Sequence, residues 1–251
     1  MDKYYRFAEL LLRSRYAVAL TGAGISVESG IPDFRSEHGL WARYDPFEYG
    51  HIDSFRADPG KVWNMLVEMK DLVESVGPNE AHYALGELER LGVLKAVITQ
   101  NVDGLHQKGG AFNVIEFHGS FRSMHCDHCG KPYAAREVSL ERLPPLCACG
   151  GPIRPDVVLF GEGIPDGAYS RALDAAGRCD LMVVVGTSAS VAPASELPLI
   201  AGRRGARIVE INPEASELPR EATEMHIVAR AGVAFRNIMK IVKSMHTEGK
   251  N

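Results

Sequence analysis

Residues 16–35 have the sequence YAVALTGAGISVESGIPDFR, in which a short apolar segment runs directly into a glycine-rich turn. The apolar residues 16–20 predict a strand that is buried on both faces of a parallel sheet. Gly22 and Gly24 would let the backbone after this strand approach a bound pyrophosphate. Val27 stands where the dinucleotide-binding fingerprint has its last glycine, so an ordinary tight turn remains the alternative.

The helix that normally follows such a turn ends early in this chain. Pro32 disfavours helical backbone geometry at Ile31, whereas a dinucleotide-binding turn usually continues into a long helix. We therefore predict that Asp33, Phe34 and Arg35 lie on a loop beside the bound phosphates.

Short apolar runs alternate with helical periodicities along most of the chain. The predicted strands are 16–20, 93–98, 114–117, 157–160, 181–185, 208–211 and 226–228. The predicted helices between them are 80–91 capped by Asn79, 167–177 capped by Asp166, and 233–245. This alternation predicts an α/β fold with a doubly wound, Rossmann-like parallel sheet.

Two stretches interrupt the alternation and predict a second, smaller domain. Residues 36–78 contain one strong helix, with Asp58 as its cap and Pro59 as its first residue. Residues 122–151 contain most of the cysteines. We therefore expect a discontinuous Rossmann-like domain and a small domain made of two modules. The predicted boundaries are 1–35, 79–121 and 152–251 for the large domain, 36–78 for the helical module and 122–151 for the cysteine-containing module.

Composition narrows the class of protein. The 251 residues are 45% hydrophobic, which excludes an intrinsically disordered chain. Twenty-eight Lys and Arg against 32 Asp and Glu give a net charge of −4, which argues against a surface devoted to nucleic acid. No apolar run approaches the roughly 20 residues that span a bilayer, and the N-terminus lacks the apolar core of a signal peptide. We expect a soluble cytoplasmic protein.

Four of the five cysteines form two close pairs, Cys126-x-x-Cys129 and Cys147-x-Cys149. Clustered thiols in a cytoplasmic chain favour a metal site over disulfides, and two thiolate pairs predict a closed tetrahedral zinc site. The second pair is one residue tighter than usual. His125 and His128 are alternative ligands, and Cys179 is predicted to be a core residue.

Polar residues follow several predicted strands, at the sheet edge where ligands bind in open α/β folds. TQNVDGLH (99–106) offers hydrogen-bond donors and acceptors for sugar hydroxyls and a carboxamide. His118 could act as a general base near neutral pH. Gly186-Thr187-Ser188 and Asn212-Pro213 follow two further strands. Capping residues, a structural histidine and ordinary turns are the alternatives at these positions.

Together the motifs resemble the sirtuin (Sir2-like) family of NAD-dependent protein deacylases. The resemblance runs from about residue 16 to residue 232. It rests on GAGISVESGIPDFR (22–35), TQNVDGLH (99–106), HG (118–119), VVLFGE (157–162), GTSASVAPA (186–194) and INP (211–213). It implies a large Rossmann-like domain, a small domain with a helical and a zinc module, and NAD bound in the cleft between them.

The resemblance also assigns roles to individual positions. His118 is implied to be the catalytic base, with Asn101 and Asp103 as further catalytic residues. The implied NAD contacts are Gly22, Ala23, Gly24, Ser26, Asp33, Phe34, Arg35, Gln100, Asn101, Val102, Asp103, Gly186, Thr187, Ser188, Asn212 and Ala231. The implied ligands of one structural Zn²⁺ are Cys126, Cys129, Cys147 and Cys149. The implied substrate contacts are Val157, Phe160, Gly161, Glu162 and Val191, with the peptide added as a strand between residues 157–161 and 188–192.

The implied reaction consumes NAD and yields nicotinamide, deacylated lysine and O-acyl-ADP-ribose. Sirtuins selective for succinyl or malonyl groups carry a Tyr-x-x-Arg pair where this chain has Leu66 and Met69. Because an apolar pair cannot bind a carboxylate, we predict acetyl and longer uncharged acyl groups as substrates, with succinyl-lysine poorly used. The alternative is that Leu66 and Met69 are only core residues of an amphipathic helix.

Three other functions compete with deacylation. A protein mono-ADP-ribosyltransferase would share the NAD cleavage, and a non-catalytic NAD-sensing module would bind NAD without releasing nicotinamide. A dehydrogenase would leave the zinc module unexplained. The expected partners are acyl-lysine proteins, either chromatin proteins or metabolic enzymes, without direct contact to nucleic acid or membrane.

Overall fold

A computed structural model describes residues 2–33 and 39–248. The strands are β1 Ala17–Thr21, β2 Leu94–Thr99, β3 Val114–Glu116, β4 Gly119–Cys126, β5 Pro132–Ala134, β6 Ile153–Val157, β7 Leu181–Val185, β8 Arg207–Ile211 and β9 Met225–Ile227. The helices are α1 Lys3–Arg13, α2 Leu40–Arg43, α3 Pro46–Tyr49, α4 Ile52–Ala57, α5 Pro59–Ser75, α6 Glu80–Arg90, α7 Leu105–Lys108, α8 Asp166–Arg178, α9 Leu197–Arg203 and α10 Ala231–Glu248.

The main sheet has six parallel strands in the order β3-β2-β1-β7-β8-β9. From β1 the chain proceeds outward through β2 and β3, then returns to the other side of β1 and proceeds outward through β7, β8 and β9. The predicted doubly wound α/β fold is therefore confirmed. Its strand order reverses between β1 and β7, and the carboxyl ends of these two strands are where such sheets form a ligand crevice.

Helices cover both faces of this sheet. Ala17 and Ala19 of β1 belong to a core that also contains residues of α1, α6 and α10. Val18 and Leu20, which point the opposite way, belong to a second core with residues of α8 and α9. Burial on both faces explains why these strands are continuous apolar runs rather than alternating ones.

The smaller domain has its own sheet and core. Strands β5, β4 and β6 form an antiparallel three-stranded sheet, which extends from Gly119 to Val157. Side chains from α4, α5, β4 and β6 share one hydrophobic core, and Trp63 Nε1 donates a hydrogen bond of 2.8 Å to the Ile153 carbonyl. The 36–78 and 122–151 stretches thus pack against each other, while the predicted domain boundaries themselves stay a prediction.

One predicted strand is wrong. Residues 157–160 are not a strand of the parallel sheet, because the observed strand β6 ends at Val157 and pairs antiparallel with β4. The apolar residues after it bond to remote segments instead. Val158 N–H donates to the His118 carbonyl, and the backbone of Phe160 bonds with Gly50 and Ile52.

The helix caps agree with the sequence at two of the three predicted positions. Asp58 accepts from the Lys61 N–H at the start of α5, and Asn79 accepts from the Ala81 N–H at the start of α6. Asp166 is not the cap of α8 but its first residue, because the Pro165 carbonyl already accepts from Tyr169 N–H. Over the described residues, no helix combines the length and the apolar character needed to cross a membrane.

Candidate functional site

A glycine cradle joins the ends of β1 and β7. Gly22 N–H donates to the Val185 carbonyl at 3.0 Å, and Gly24 N–H donates to the Gly186 carbonyl at 2.8 Å. A Cβ on Gly24 would lie 2.8 Å from Gly186 Cα. Gly186 has φ of +58°, and a Cβ there would lie 2.3 Å from the Ile25 amide nitrogen. These contacts require glycine and leave the backbone open to a ligand.

The turn after β1 does not continue into a long helix. Residues 23–25 and 27–29 form two short 3₁₀ turns, and Gly30 ends the second with φ of +100°. Asp33 follows and lines the cleft described below. Phe34 and Arg35 lie outside the described residues, so their predicted phosphate contacts stay a prediction.

Three polar side chains form a hydrogen-bonded cluster beside the cradle. Asn101 Nδ2 donates to the Gly22 carbonyl and to Ser26 Oγ, both at 3.1 Å. Ser26 Oγ donates to Asp103 Oδ2 at 2.7 Å, and Asp103 Oδ1 accepts from the Leu105 N–H. All three side chains are buried. The cluster fixes the orientation of the Asn101 amide and the Asp103 carboxylate before any ligand binds.

A second set of hydrogen bonds connects the ends of β2, β7 and β8. Gln100 Nε2 donates to Thr187 Oγ1 at 3.0 Å, and Asn212 Nδ2 donates to the Thr187 carbonyl at 3.2 Å. The polar loops after these strands therefore meet at one edge of the sheet, as their positions in the sequence predict.

His118 lies at the boundary between the two domains, directly before β4. Its Nδ1 lies 3.0 Å from the Gln100 carbonyl oxygen, which can only accept, so the neutral ring carries its proton on Nδ1 and leaves Nε2 as the basic nitrogen. Burial lowers the pKa of His118 from its usual value, and the hydrogen bond to Gln100 opposes this effect. His118 is therefore neutral, and able to accept a proton, at physiological pH.

These groups line one cleft of about 920 Å³ between the two domains. The predicted cofactor residues that line it are Gly22, Ala23, Gly24, Asp33, Gln100, Asn101, Val102, Gly186, Thr187, Ser188 and Asn212. The predicted substrate residues Val157, Phe160, Gly161, Glu162, Val191, Leu66 and Met69 line it as well. Ser26 and Asp103 line a small adjoining apolar pocket instead. Ala231 is buried and lines neither cavity.

The cleft also contains charged residues that the sequence did not single out. Glu28, Glu214 and Arg230 line it. Glu28 Oε2 accepts the Gly232 N–H at 2.5 Å, so the carboxylate lies at the N-terminus of α10, where the helix dipole favours negative charge. Glu28 and Gly232 are 204 residues apart, and no local pattern indicates this contact.

The four clustered cysteines meet at one point. Their Sγ atoms all lie within 4.8 Å of one another, with Cys126 and Cys149 at 3.5 Å and Cys129 and Cys147 at 3.7 Å. Zn–S bonds of about 2.3 Å place tetrahedral sulfurs ~3.8 Å apart, so the donor set fits one Zn²⁺. The Cys149 backbone N–H and the Tyr133 hydroxyl lower the pKa of Cys147 to about 6, which favours the thiolate that zinc binds.

Two buried histidines lie behind the cradle. Thr21 Oγ1 contacts His106 Nε2 at 2.8 Å, and the rings of His106 and His82 pack edge to face at 4.9 Å. Burial lowers the pKa of His82 to about 4, although the Asp103 carboxylate opposes the shift. Burial and His82 together lower the pKa of His106 well below its usual value. Both rings are therefore neutral near pH 7.

Comparison with known proteins identifies the family. A model of the Sir2 family matches residues 22–193. The chain is 46% identical over 237 residues to NAD-dependent protein deacylase 2 of Pyrobaculum aerophilum, covering 94% of each chain. The chain belongs to the Sir2 family.

Solved structures of Sir2 proteins agree with this assignment. A mutant Sir2 homologue in complex with ADP-ribose matches with a TM-score of 0.93 and 42% identity, covering 98% of each chain. A Sir2 protein in complex with a p53 peptide and NAD⁺ matches with a TM-score of 0.87 and 37% identity, covering 95% of this chain and 98% of that one. The resemblance to Sir2 proteins that the motifs indicate is therefore confirmed.

The Sir2 match includes most of the site described above. The cradle, the Asn101 cluster, His118 and the four cysteines all lie within residues 22–193. Asn212 and Ala231 lie beyond that match. The individual roles assigned to these residues stay predictions.

Proposed function

We propose that this chain removes acyl groups from protein lysines with NAD as a consumed co-substrate, releasing nicotinamide and forming O-acyl-ADP-ribose. Membership of the Sir2 family and the name of its deacylase relative support this reaction. The observation that carries the proposal is a single cleft that joins the glycine cradle, Asn101 and His118. Mass spectrometry of an acetyl-lysine peptide incubated with NAD tests it, because ADP-ribosyl transfer to protein would add mass to the peptide rather than remove the acetyl group.

Residues at different positions along the cleft take different roles in binding NAD and in proton transfer. The cradle offers backbone close to a pyrophosphate, Thr187 and Asn212 contact the adenosine half, and Gln100 belongs to the ribose and nicotinamide pocket. When bound, NAD supplies an electrophilic ribose carbon and nicotinamide as leaving group. Asn101 and Asp103, held by Ser26, orient the nicotinamide half. His118 Nε2 accepts a proton from a ribose hydroxyl, which makes that oxygen nucleophilic.

The acylated protein binds on the other side of His118. Residues 157–161 and 188–192 border the cleft, and backbone hydrogen bonds to an added strand place few demands on the substrate sequence. Acyl-lysines of chromatin proteins and of metabolic enzymes both meet those demands. The four cysteines hold the Zn²⁺ that keeps the module of residues 122–151 folded.

The acyl group itself meets an apolar surface. Leu66 and Met69 of α5 line the cleft, and α5 contains no arginine. Met69 also lines the small adjoining pocket, but Asn101 and Asp103 line that pocket too and are assigned to the nicotinamide half. The uncharged acyl group is therefore assigned to the apolar side chains of the cleft itself.

We expect the chain to remove acetyl and hexanoyl groups from one lysine peptide faster than a succinyl group, by about 10-fold or more in kcat/KM. An apolar surface desolvates the succinyl carboxylate without offering a partner. The measurement is an acyl-length series at saturating NAD.

The matched variant is Leu66→Tyr with Met69→Arg, which introduces the pair found in succinyl-selective sirtuins. We expect it to raise succinyl turnover relative to acetyl turnover. Faster succinyl than acetyl removal by the unmodified chain would contradict the proposed acyl preference.

The pH dependence of kcat follows from the lowered pKa of His118. The neutral ring is the active form, so activity is lost as the pH falls through that pKa, and burial places this acid limb below 6.5.

The folded state is also destabilised between about pH 6.5 and 4, because the unfolded chain protonates at His82 and His106 while the folded chain resists protonation of these two rings. Initial rates measured at each pH alongside the melting temperature separate the two effects. An acid limb above pH 6.5 in protein that is still folded contradicts the assignment.

A further inference from the structure

Arg154 of β6 is a buried cation with two carboxylate partners. Its Nε donates to Asp127 Oδ1 at 3.1 Å, and one terminal nitrogen donates to Glu162 Oε2 at 3.1 Å and to the Val157 carbonyl at 3.3 Å. The other terminal nitrogen bonds Glu162 Oε1. The side chain of Arg154 is only 7% exposed, and that of Asp127 only 8%.

Glu162 uses the same carboxylate to hold the segment between β6 and itself. Its Oε2 also accepts the Leu159 N–H at 2.9 Å. One residue earlier, Val158 N–H donates to the carbonyl of His118 at 2.9 Å. Arg154, Glu162 and the backbone bond to His118 therefore help to set the path of residues 157–162 past the proposed catalytic base, together with the backbone bonds of Phe160 to Gly50 and Ile52.

Arg154 also connects this segment to the rest of the small domain. Asp127 lies between Cys126 and Cys129 in the metal-binding loop, and its other carboxylate oxygen pairs with the exposed Arg56 at 3.3 Å. The Arg154 guanidinium lies 5.8 Å from the centre of the Phe55 ring in α4. One side chain thus contacts the cysteine loop, the helical module and the segment that borders the cleft.

We propose that Arg154 is a positioning residue for the acylated protein substrate, holding residues 157–162 in the shape to which the substrate strand adds. The inference rests on the proposed placement of substrate along this segment. The geometry requires the planar fork of arginine, because two parallel bonds orient the Glu162 carboxylate while the third nitrogen stays with Asp127. Lysine has the charge but cannot supply this arrangement. The contact to Asp127 further makes the shape of the segment depend on the folded cysteine loop.

The test compares Glu162→Gln and Arg154→Lys with the control Arg56→Gln. The control removes an ion pair from the same Asp127 without touching residues 157–162. We expect both test variants to raise the KM for an acetyl-lysine peptide about 10- to 100-fold, since small misplacements of a bound reactant have effects of this size. The dissociation constant of ADP-ribose, measured by calorimetry, stays within about twofold of the unmodified chain, because the cradle is untouched.

Amide hydrogen exchange gives a readout that does not need turnover. The Leu159 amide should exchange faster in Glu162→Gln, whereas that of the control should match the unmodified chain. Bound zinc, measured by atomic emission, stays at the same stoichiometry in all variants, which shows that the module is folded.

Each outcome decides the matter. Peptide KM within twofold of the unmodified value in Glu162→Gln, an unmodified KM in Arg154→Lys, or equal weakening of ADP-ribose and peptide binding would overturn the positioning role. If the unmodified chain binds ADP-ribose but never removes the acetyl group, the proposed function fails and this inference fails with it. If the unmodified chain deacylates and both test variants behave like the Arg56→Gln control, the proposed function stands and only the positioning role is wrong.

Discussion

We expect replacement of His118 by alanine to lower kcat for deacylation about 100- to 10,000-fold, the range typical for loss of a general base. The structure gives the reason. The Gln100 carbonyl holds the proton on Nδ1 and leaves Nε2 free in a cleft where burial keeps the ring neutral. Proton acceptance matters only in the transition state, so KM for NAD should change little. Initial rates with an acetyl-lysine peptide, and NAD affinity by calorimetry, measure both quantities.

His118→Asn is the matched control for this prediction. Asparagine can still donate a hydrogen bond to the Gln100 carbonyl but cannot accept a proton near pH 7. We expect it to lose as much kcat as alanine does while keeping the local structure. Full activity in either variant means that another group is the base. Loss of NAD binding together with activity means that His118 is structural.

The carboxyl-end motifs were predictable because each is a local pattern attached to a strand. The apolar run 16–20 followed by Gly22 and Gly24 indicates both the central strand and the ligand side of the sheet, and the order of strands then brings Asn101 and Gly186 to the same edge. The spacing of the two cysteine pairs likewise predicts a metal site, and the four sulfur atoms do lie close together in the structure.

The wrong sequence predictions, and the contacts that the sequence did not indicate, have the same physical cause. The apolar run 157–160 has the composition of a buried strand, but its backbone partners come from residues 50, 52 and 118, and no local signal shows that. The Arg154 fork depends on β4 and β6 pairing in a second sheet, and the contact between His82 and His106 depends on α6 packing against α7. Such features arise only from tertiary contacts. The predicted cap at Asp166 is wrong by one residue, because the preceding Pro165 occupies the cap position of α8.

Loss of the metal should be the largest effect on stability. Cys126 and Cys147 are buried members of the core that contains Trp63, and Leu159 of the cleft-bordering segment belongs to the same core. Structural zinc contributes about 10–16 kcal/mol of apparent binding free energy, against a typical folding free energy of about 5–15 kcal/mol for a whole domain. A module that loses its metal therefore loses its ordered state. The Rossmann-like sheet, with two cores of its own, stays folded.

We expect Cys147→Ala to release the metal, to lower the calorimetric enthalpy of unfolding because the module is already disordered, and to abolish deacylation. We expect the variant to retain binding of ADP-ribose better than deacylation, because the cradle belongs to the large sheet. Atomic emission, scanning calorimetry and isothermal titration measure the three quantities. Cys179→Ala is the control, since Cys179 is also a buried cysteine but packs under the parallel sheet, away from the cluster. It should keep its zinc and its activity and lose only about 1 kcal/mol of stability. A Cys147→Ala protein that keeps one zinc per chain, or that deacylates at the unmodified rate, contradicts a structural four-cysteine site.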